Sequence, residues 1–266
     1  MADFTAKDVA FLRKETGAPM MDCKKALESC DGNFVLAKDW LRAKGLKTAD
    51  KKSSRSTEEG LVAVKTVEGK TALAKVYCET DFVARTDDFV DFCNTVLDAC
   101  IENGNAESVD STKAIATLGE NIKIGDTLVI ENDHHMVSYI HNKVSDNTGK
   151  MAVVISYEGS TGPITVDAVR KIAMHVAATD PTALSIEELD DEWVERERAF
   201  LINQAMDSGK PEEIVRKMVD GRMYKFLKEA TLLNQEFVVM PSDKVTVEQF
   251  ADANNVNIKD FTRFSL

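Results

Sequence analysis

The sequence predicts an α+β protein: an N-terminal three-helix bundle, a core of strands and helices, and a long helical hairpin projecting from that core. Three observations carry the prediction. Residues 5–45 show helical apolar spacing punctuated by Gly17, Gly32 and Gly45. Residues 61–77 read as two apolar strands followed by a helix with sharply periodic apolar positions. Residues 186–233 hold two long charged helical segments on either side of a Gly-Lys-Pro tip.

In the bundle, Val9 and Leu12 mark the first apolar face, and Ala26, Leu27 and Cys30 the second, after Asp22 as an N-cap. Asn33 caps the third, where Phe34, Ala37, Trp40 and Leu41 recur at helical spacing. Each of the three glycines is expected to stop its helix in the left-handed conformation. Met20 and Met21 fall on the turn between the first two helices. Two adjacent methionines rarely both point inward, so one is either a core plug or an adaptable contact.

Residues 48–57 (TADKKSSRST) are small, polar and basic, the composition of a flexible linker, which sets off residues 1–47 as a separate module. Charge supports the separation. Residues 1–55 hold 12 Lys/Arg against 8 Asp/Glu, net +4, while the whole chain is −12 and the remainder therefore −16. Such a chain is repelled by nucleic-acid backbones and anionic membranes, so neither is an expected partner.

Leu61–Val67 and Thr71–Tyr77 are expected to pair through a turn at Glu68-Gly69. The helix beginning near Asp87 places Phe89, Phe92, Cys93, Val96, Leu97, Cys100 and Ile101 on one face. A short helix over 111–118 closes at Gly119. Strands are expected at 127–130, 136–140 and 151–157, a helix at 166–178, and last strands at 237–240 and 256–264, with a short helix near 247–253.

Between the second strand and the long helix runs Cys78-Glu79-Thr80-Asp81-Phe82-Val83-Ala84-Arg85. A strand-to-helix corner is short and held at both ends, so its side chains are aimed with little freedom. This one presents a carboxylate, Asp81, beside an aromatic ring, Phe82, flanked by Thr80 and Val83. Either Phe82 caps the core and Asp81 begins a turn, or the pair faces a partner.

Chemistry for catalysis is sparse. The Gly149-Lys150 pair has Val144 and Met151 where a phosphate-binding loop needs glycine and a hydroxyl. The histidines, His134-His135, His141 and His175, lack metal-ligand spacing, and His175 lies within an apolar helical stripe as a structural residue. The five cysteines have no CxxC spacing and fit a reducing setting. No apolar run reaches the roughly 20 residues of a membrane span. The N-terminus has no signal-peptide core, so a cytoplasmic location is expected.

At this point the residues match a family. Thr16-Gly17-Ala18-Pro19-Met20-Met21-Asp22-Cys23-Lys24-Lys25-Ala26-Leu27 and Glu79-Thr80-Asp81-Phe82-Val83-Ala84-Arg85 resemble the two signatures of the elongation factor Ts family. Gly119-Glu120-Asn121-Ile122, Ala173-Met174-His175-Val176-Ala177-Ala178, Gly209-Lys210-Pro211 and Gly221-Arg222-Met223 extend the match over the full length. The resemblance implies a ubiquitin-associated-like N-terminal module and a two-part α+β core, here 58–140 and 141–266. It implies an antiparallel coiled-coil hairpin inserted in the second part at about 186–233.

It further implies guanine-nucleotide exchange on elongation factor Tu, in its GDP-bound and nucleotide-free states, and allows a 2:2 assembly with that partner. No cofactor is expected. Thr80, Asp81, Phe82 and Val83 would displace the partner's Mg²⁺. Leu12, Met20, Met21, Leu118, Gly119 and His141 would make other partner contacts. One stretch departs from the family: after His141, residues 142–148 intervene before Gly149-Lys150-Met151, where relatives turn quickly through glycines. Two other function classes stay open on residues alone: an α+β enzyme acting on a small acidic metabolite with Asp81 and His141 in its cleft, and a structural adaptor.

Overall fold

The computed structural model describes residues 4–206, 212–240 and 244–266. It is mixed helix and sheet, in two compact units. One comprises the chain up to Asn132 together with Ile140–Ala152 and Phe264–Leu266; the other comprises Asp133–Tyr139 and Val153–Arg263.

The first unit opens with three helices, α1 (Ala6–Thr16), α2 (Met20–Ser29) and α3 (Phe34–Lys52). Val9, Leu12, Cys23, Ala26, Leu27, Ala37 and Leu41 interlock as their common core. Gly17 ends α1 in the left-handed conformation at φ 71°, as its position predicts. Asn33 caps α3, its side-chain oxygen accepting from the Val35 and Leu36 amides at 3.0 and 3.1 Å.

Two expectations fail here for identifiable reasons. Asp22 lies in the first turn of α2, not at its cap, and its carboxylate is engaged by Lys44 of α3. Gly45 does not stop α3, which continues to Lys52, so residues 48–52 are helical and not linker. The glycine is there for proximity. A Cβ at position 45 would stand 3.3 Å from Thr112 Cγ2 and 3.7 Å from Ala116 Cβ, so its bare backbone lets α3 press against the helix at 112–118.

The sheet of this unit has the order β3-β2-β1-β5, from β1 (Glu59–Val67), β2 (Lys70–Cys78), β3 (Lys123–Glu131) and β5 (Thr148–Gly149), all neighbours antiparallel. β1 and β2 pair from Glu59↔Cys78 to Val67↔Lys70. The two residues between, Glu68 and Gly69, both have positive φ, 48° and 82°, which gives the turn the twist a two-residue hairpin needs. After the short helix α4 (Asp81–Ala84) comes α5 (Asp87–Asn103), capped by the Thr86 hydroxyl and ended by left-handed Gly104. Phe89, Cys93, Val96, Leu97 and Cys100 are fully buried against Leu61, Ala63, Ala72, Ala74 and Val76 of the sheet. Helix α6 (Thr112–Leu118) closes at Gly119 as expected.

Residues 142–147, within the stretch expected to depart from the family pattern, are held to their neighbours by hydrogen bonds. Asn147 O accepts from the Val64 amide at 2.9 Å, its side-chain amide donates to Asn94 of α5 at 2.5 Å, and Thr148-Gly149 then pair with Ala63 and Val62. The segment is a loop of bends tied to β1 and α5, and it leads into the two-residue strand β5.

Most of β4 (His135–His141), β6 (Met151–Gly159) and β7 (Val256–Ser265), a sheet in the order β4-β6-β7, belongs to the second unit. Helix α7 (Pro163–Thr179) and the short α10 (Val247–Ala253) bury Val169, Ile172, Val176, Val247 and Ala251 with this sheet's apolar residues. His175 is fully buried, as expected of a structural histidine. Its Nε2 lies 2.7 Å from Gln235 Oε1, and its Nδ1 accepts from the Val238 amide at 3.3 Å. That second bond belongs to a correction: residues 237–240 form a turn, not a strand, because Phe237 turns inward to stack on Phe250 at 4.2 Å and pack on His175.

Helices α8 (Asp191–Met206) and α9 (Glu212–Ala230) pack along Leu201, Ala205, Val215, Val219 and Met223. Trp193 meets Phe226 at 4.7 Å and Arg198 meets Asp220 at 3.6 Å, so the two run antiparallel. The expected Gly209-Lys210-Pro211 tip lies outside the described residues. No helix among the described residues is long and apolar enough to cross a membrane.

Candidate functional site

Strand β2 ends at buried Cys78, and the chain turns through Glu79 and Thr80 into α4. Thr80 is the N-cap. Its hydroxyl accepts from the Val83 amide at 3.4 Å and donates to Glu120 Oε1 at 2.6 Å. Burial pushes the Cys78 thiol up to about 12, reinforced by the Glu120 carboxylate, so it stays protonated and donates to the Thr80 carbonyl at 3.1 Å.

Those bonds fix which way the next three side chains go. Val83 packs down on the core formed by β1, β2 and α5. Asp81 remains partly exposed, with Arg85 at 3.7 Å along the same turn. Phe82 stands 81 % exposed. A free phenylalanine ring in water forgoes about 1.5–3 kcal/mol of burial, so its outward position is a cost the fold bears without internal return. Of the four residues expected to act on the partner's metal, Asp81 and Phe82 point out, while Thr80 and Val83 hold them there.

The turn after α6 lies directly against this corner. Glu120 Oε2 accepts from the backbone amides of Glu79 and Thr80, each at 3.0 Å. In the reverse sense, Glu79 Oε1 accepts from the Asn121 amide at 2.7 Å. Gly119 is exposed and left-handed at φ 79°, and its carbonyl accepts from Lys52 at the end of α3. Leu118 is partly buried against the core. Asn121, nearly fully buried, donates to the Arg55 carbonyl at 2.9 Å. In the sequence Glu120 and Asn121, a polar pair after a helix-stopping glycine, look like ordinary turn residues.

On the other flank, a cleft of about 400 Å³ is walled by Leu61, Asp81, Arg85, Lys143, Val144 and Lys150. His141 is exposed at the end of β4, and its carbonyl accepts from the Lys150 amide at 3.1 Å. The residues after His141 therefore share a wall with Asp81.

The methionines open α2 instead of occupying the turn before it. Met20 is 42 % and Met21 60 % exposed. Leu12 has no exposed surface: it is the centre of the bundle core and supports that face from beneath, so it offers a partner no direct contact. The junction between α1 and α2 reaches α6, since a Cβ on Gly17 would lie 3.3 Å from Thr117 Oγ1. Among the described residues no group of three His, Cys, Asp or Glu side chains is placed to hold a metal ion.

Residues 79–266, from the first residue of the corner to the last of the chain, match the family model described as "Elongation factor TS". The chain belongs to the elongation factor Ts family. It is 43 % identical over 258 residues to elongation factor Ts of Agrobacterium fabrum, covering 91 % of this chain and 84 % of that one. With elongation factor Ts of Hydrogenobaculum sp. it shares 40 % identity over 281 aligned residues, covering 98 % of both chains. Elongation factor Ts of Hydrogenovibrio crunogenus is 39 % identical over 279 aligned residues. Membership in the elongation factor Ts family gives no support to the metabolite-enzyme alternative.

Proposed function

We propose that this chain is the guanine-nucleotide exchange factor for elongation factor Tu in translation elongation, and that the Asp81–Phe82 corner expels GDP by disturbing the partner's Mg²⁺ and phosphate site. The observation that carries this is a phenylalanine left 81 % exposed on a corner whose entry and cap are held by hydrogen bonds.

A GTPase holds GDP through loop amides and a Mg²⁺ ion that neutralise the diphosphate. At a nanomolar Kd the binding is worth about −12 kcal/mol, so unaided release is slow. An exchange factor must bind the nucleotide-free partner more tightly than the GDP-bound one, and linkage then makes GDP weaken the factor's own grip equally. Accelerating release a thousandfold takes about 4 kcal/mol off the barrier. Burying Phe82 in the partner contributes roughly 1.5–3 kcal/mol of that, wedging partner side chains apart. Asp81 adds a negative charge beside the metal site and competes for its coordination.

Met20 and Met21 serve a different purpose in this reading. We take α1–α3 as a ubiquitin-associated-like module and α8–α9 as a coiled-coil hairpin. Their contacts are common to both nucleotide states, so they anchor without selecting. Leu118, Gly119 and His141 flank the corner on the partner's nucleotide-binding domain. The setting is the cytoplasm, in keeping with five free cysteines. A 2:2 assembly would duplicate the site without changing the chemistry at each.

The test is addition of the purified chain to elongation factor Tu loaded with fluorescent GDP, in excess unlabelled GDP. Release should accelerate with chain concentration and then saturate. Tight association with no change in release rate would leave only an adaptor.

A further inference from the structure

We infer that Glu120 is the positioning residue of the exchange corner, holding Phe82 in its outward conformation before the partner arrives; this rests on the proposed role of the corner. Glu120 is not on the corner. It comes from the turn after α6, some forty residues further along the chain, and its two oxygens take all three donors that the corner's entry presents: the Glu79 amide, the Thr80 amide and the Thr80 hydroxyl.

The third bond matters most. A hydroxyl has one proton. With that proton committed to Glu120, the oxygen of Thr80 has only lone pairs to offer the Val83 amide, the polarity an N-cap requires. The carboxylate therefore sets both the backbone path into α4 and the direction of its cap. Helix α4 is four residues long, too short to hold its shape through its own hydrogen bonds.

A second carboxylate crosses the first. Glu79 accepts from the Asn121 amide, so corner and turn each donate a backbone N–H to the other's acid. The turn is itself tied to the end of α3, through Lys52 to the Gly119 carbonyl, and to the segment just after it, through Asn121 to the Arg55 carbonyl. Glu120 thus joins the corner to the helix that carries the N-terminal module. Charge-assisted bonds of this kind are stronger than neutral ones, and they order the corner before binding rather than during it.

The experiment is a stopped-flow titration of fluorescent-GDP elongation factor Tu with the full chain carrying Glu120→Gln. An amide keeps the side chain's size but faces the three donors with an NH₂ group on one side. The plateau release rate at saturating chain should fall about tenfold, with the half-saturating concentration within threefold of wild type. Amides of Glu79, Thr80 and Val83 should exchange hydrogen faster. A purely structural role would act through the folded fraction, raising the half-saturating concentration and leaving the plateau alone.

In a double-mutant cycle, Glu120→Gln with Thr80→Val should cost no more than the larger single change, because the hydroxyl that Thr80→Val removes is one of the three donors that Glu120→Gln already disturbs. If Glu120→Gln loses cooperative melting, Thr80→Val alone decides, by the same fall in plateau. A folded variant with an unchanged plateau overturns the role of Glu120. Phe82→Ala separates that result from a failure of the corner itself: if it slows release while Glu120→Gln does not, only the Glu120 inference falls.

Discussion

Phe82 and Val83 are adjacent in sequence yet meet opposite surroundings within one short helix. Val83 packs into the core beneath while Phe82 faces solvent. The contrast follows from the cap. Once Thr80 bonds the Val83 amide, residue 83 faces the sheet and residue 82 faces away. The exposure of Phe82 is thus imposed by the local backbone.

The anchoring role of α2 separates from the chemistry at the corner. Replacing Met20 and Met21 together by alanine should raise the half-saturating concentration for GDP release by about tenfold to a hundredfold, the equivalent of roughly 1.4–2.7 kcal/mol of lost contact. The plateau rate should hold. Titrating release rate against chain concentration reads both. A lower plateau at unchanged half-saturation would move the methionines from anchoring to selection.

Gly45 gives a stability test. In an open helix a larger residue would gain up to about 1 kcal/mol of propensity over glycine. Here any side chain meets Thr112 and Ala116 of α6. Gly45→Leu should therefore destabilise the first unit by about 1–3 kcal/mol, through overpacking between α3 and α6. Denaturant melts check it. A neutral or stabilising result would mean that the helices part at little cost.

His175 makes the second unit sensitive to pH. Burial holds its pKa below the ordinary 6.5, against the raising effect of the Gln235 hydrogen bond. The folded state keeps the ring neutral, so between the lowered value and 6.5 the unfolded state binds more protons. Stability is therefore full above pH 6.5 and falls as pH drops below it, by at most about 1.4 kcal/mol per pH unit for one proton. Thermal midpoints followed from pH 7.5 to 5 should show that slope, and His175→Gln should flatten it. An unchanged slope would place the proton elsewhere.

Much of this was legible in the sequence. The face of α5, the Glu68-Gly69 hairpin, the Asn33 cap and the buried His175 follow from spacing and turn chemistry, which are local. What was not legible depends on distant partners. Gly45 reads as a helix stop until Thr112 is known to lie against it, and Phe237 reads as a strand residue until Phe250 and His175 draw it inward. The corner could be picked out from its strand-to-helix position and its unusual acid–aromatic pair. Glu120 could not, because nothing near it in the chain signals that its acceptors serve residues 79 and 80.

The wedge at the corner is tested most directly by the GDP release rate from elongation factor Tu at saturating chain, wild type against Phe82→Ala. The phenyl ring is 81 % exposed, so the variant should fold and bind, with a release rate at least tenfold lower. An unchanged plateau rate would contradict the account.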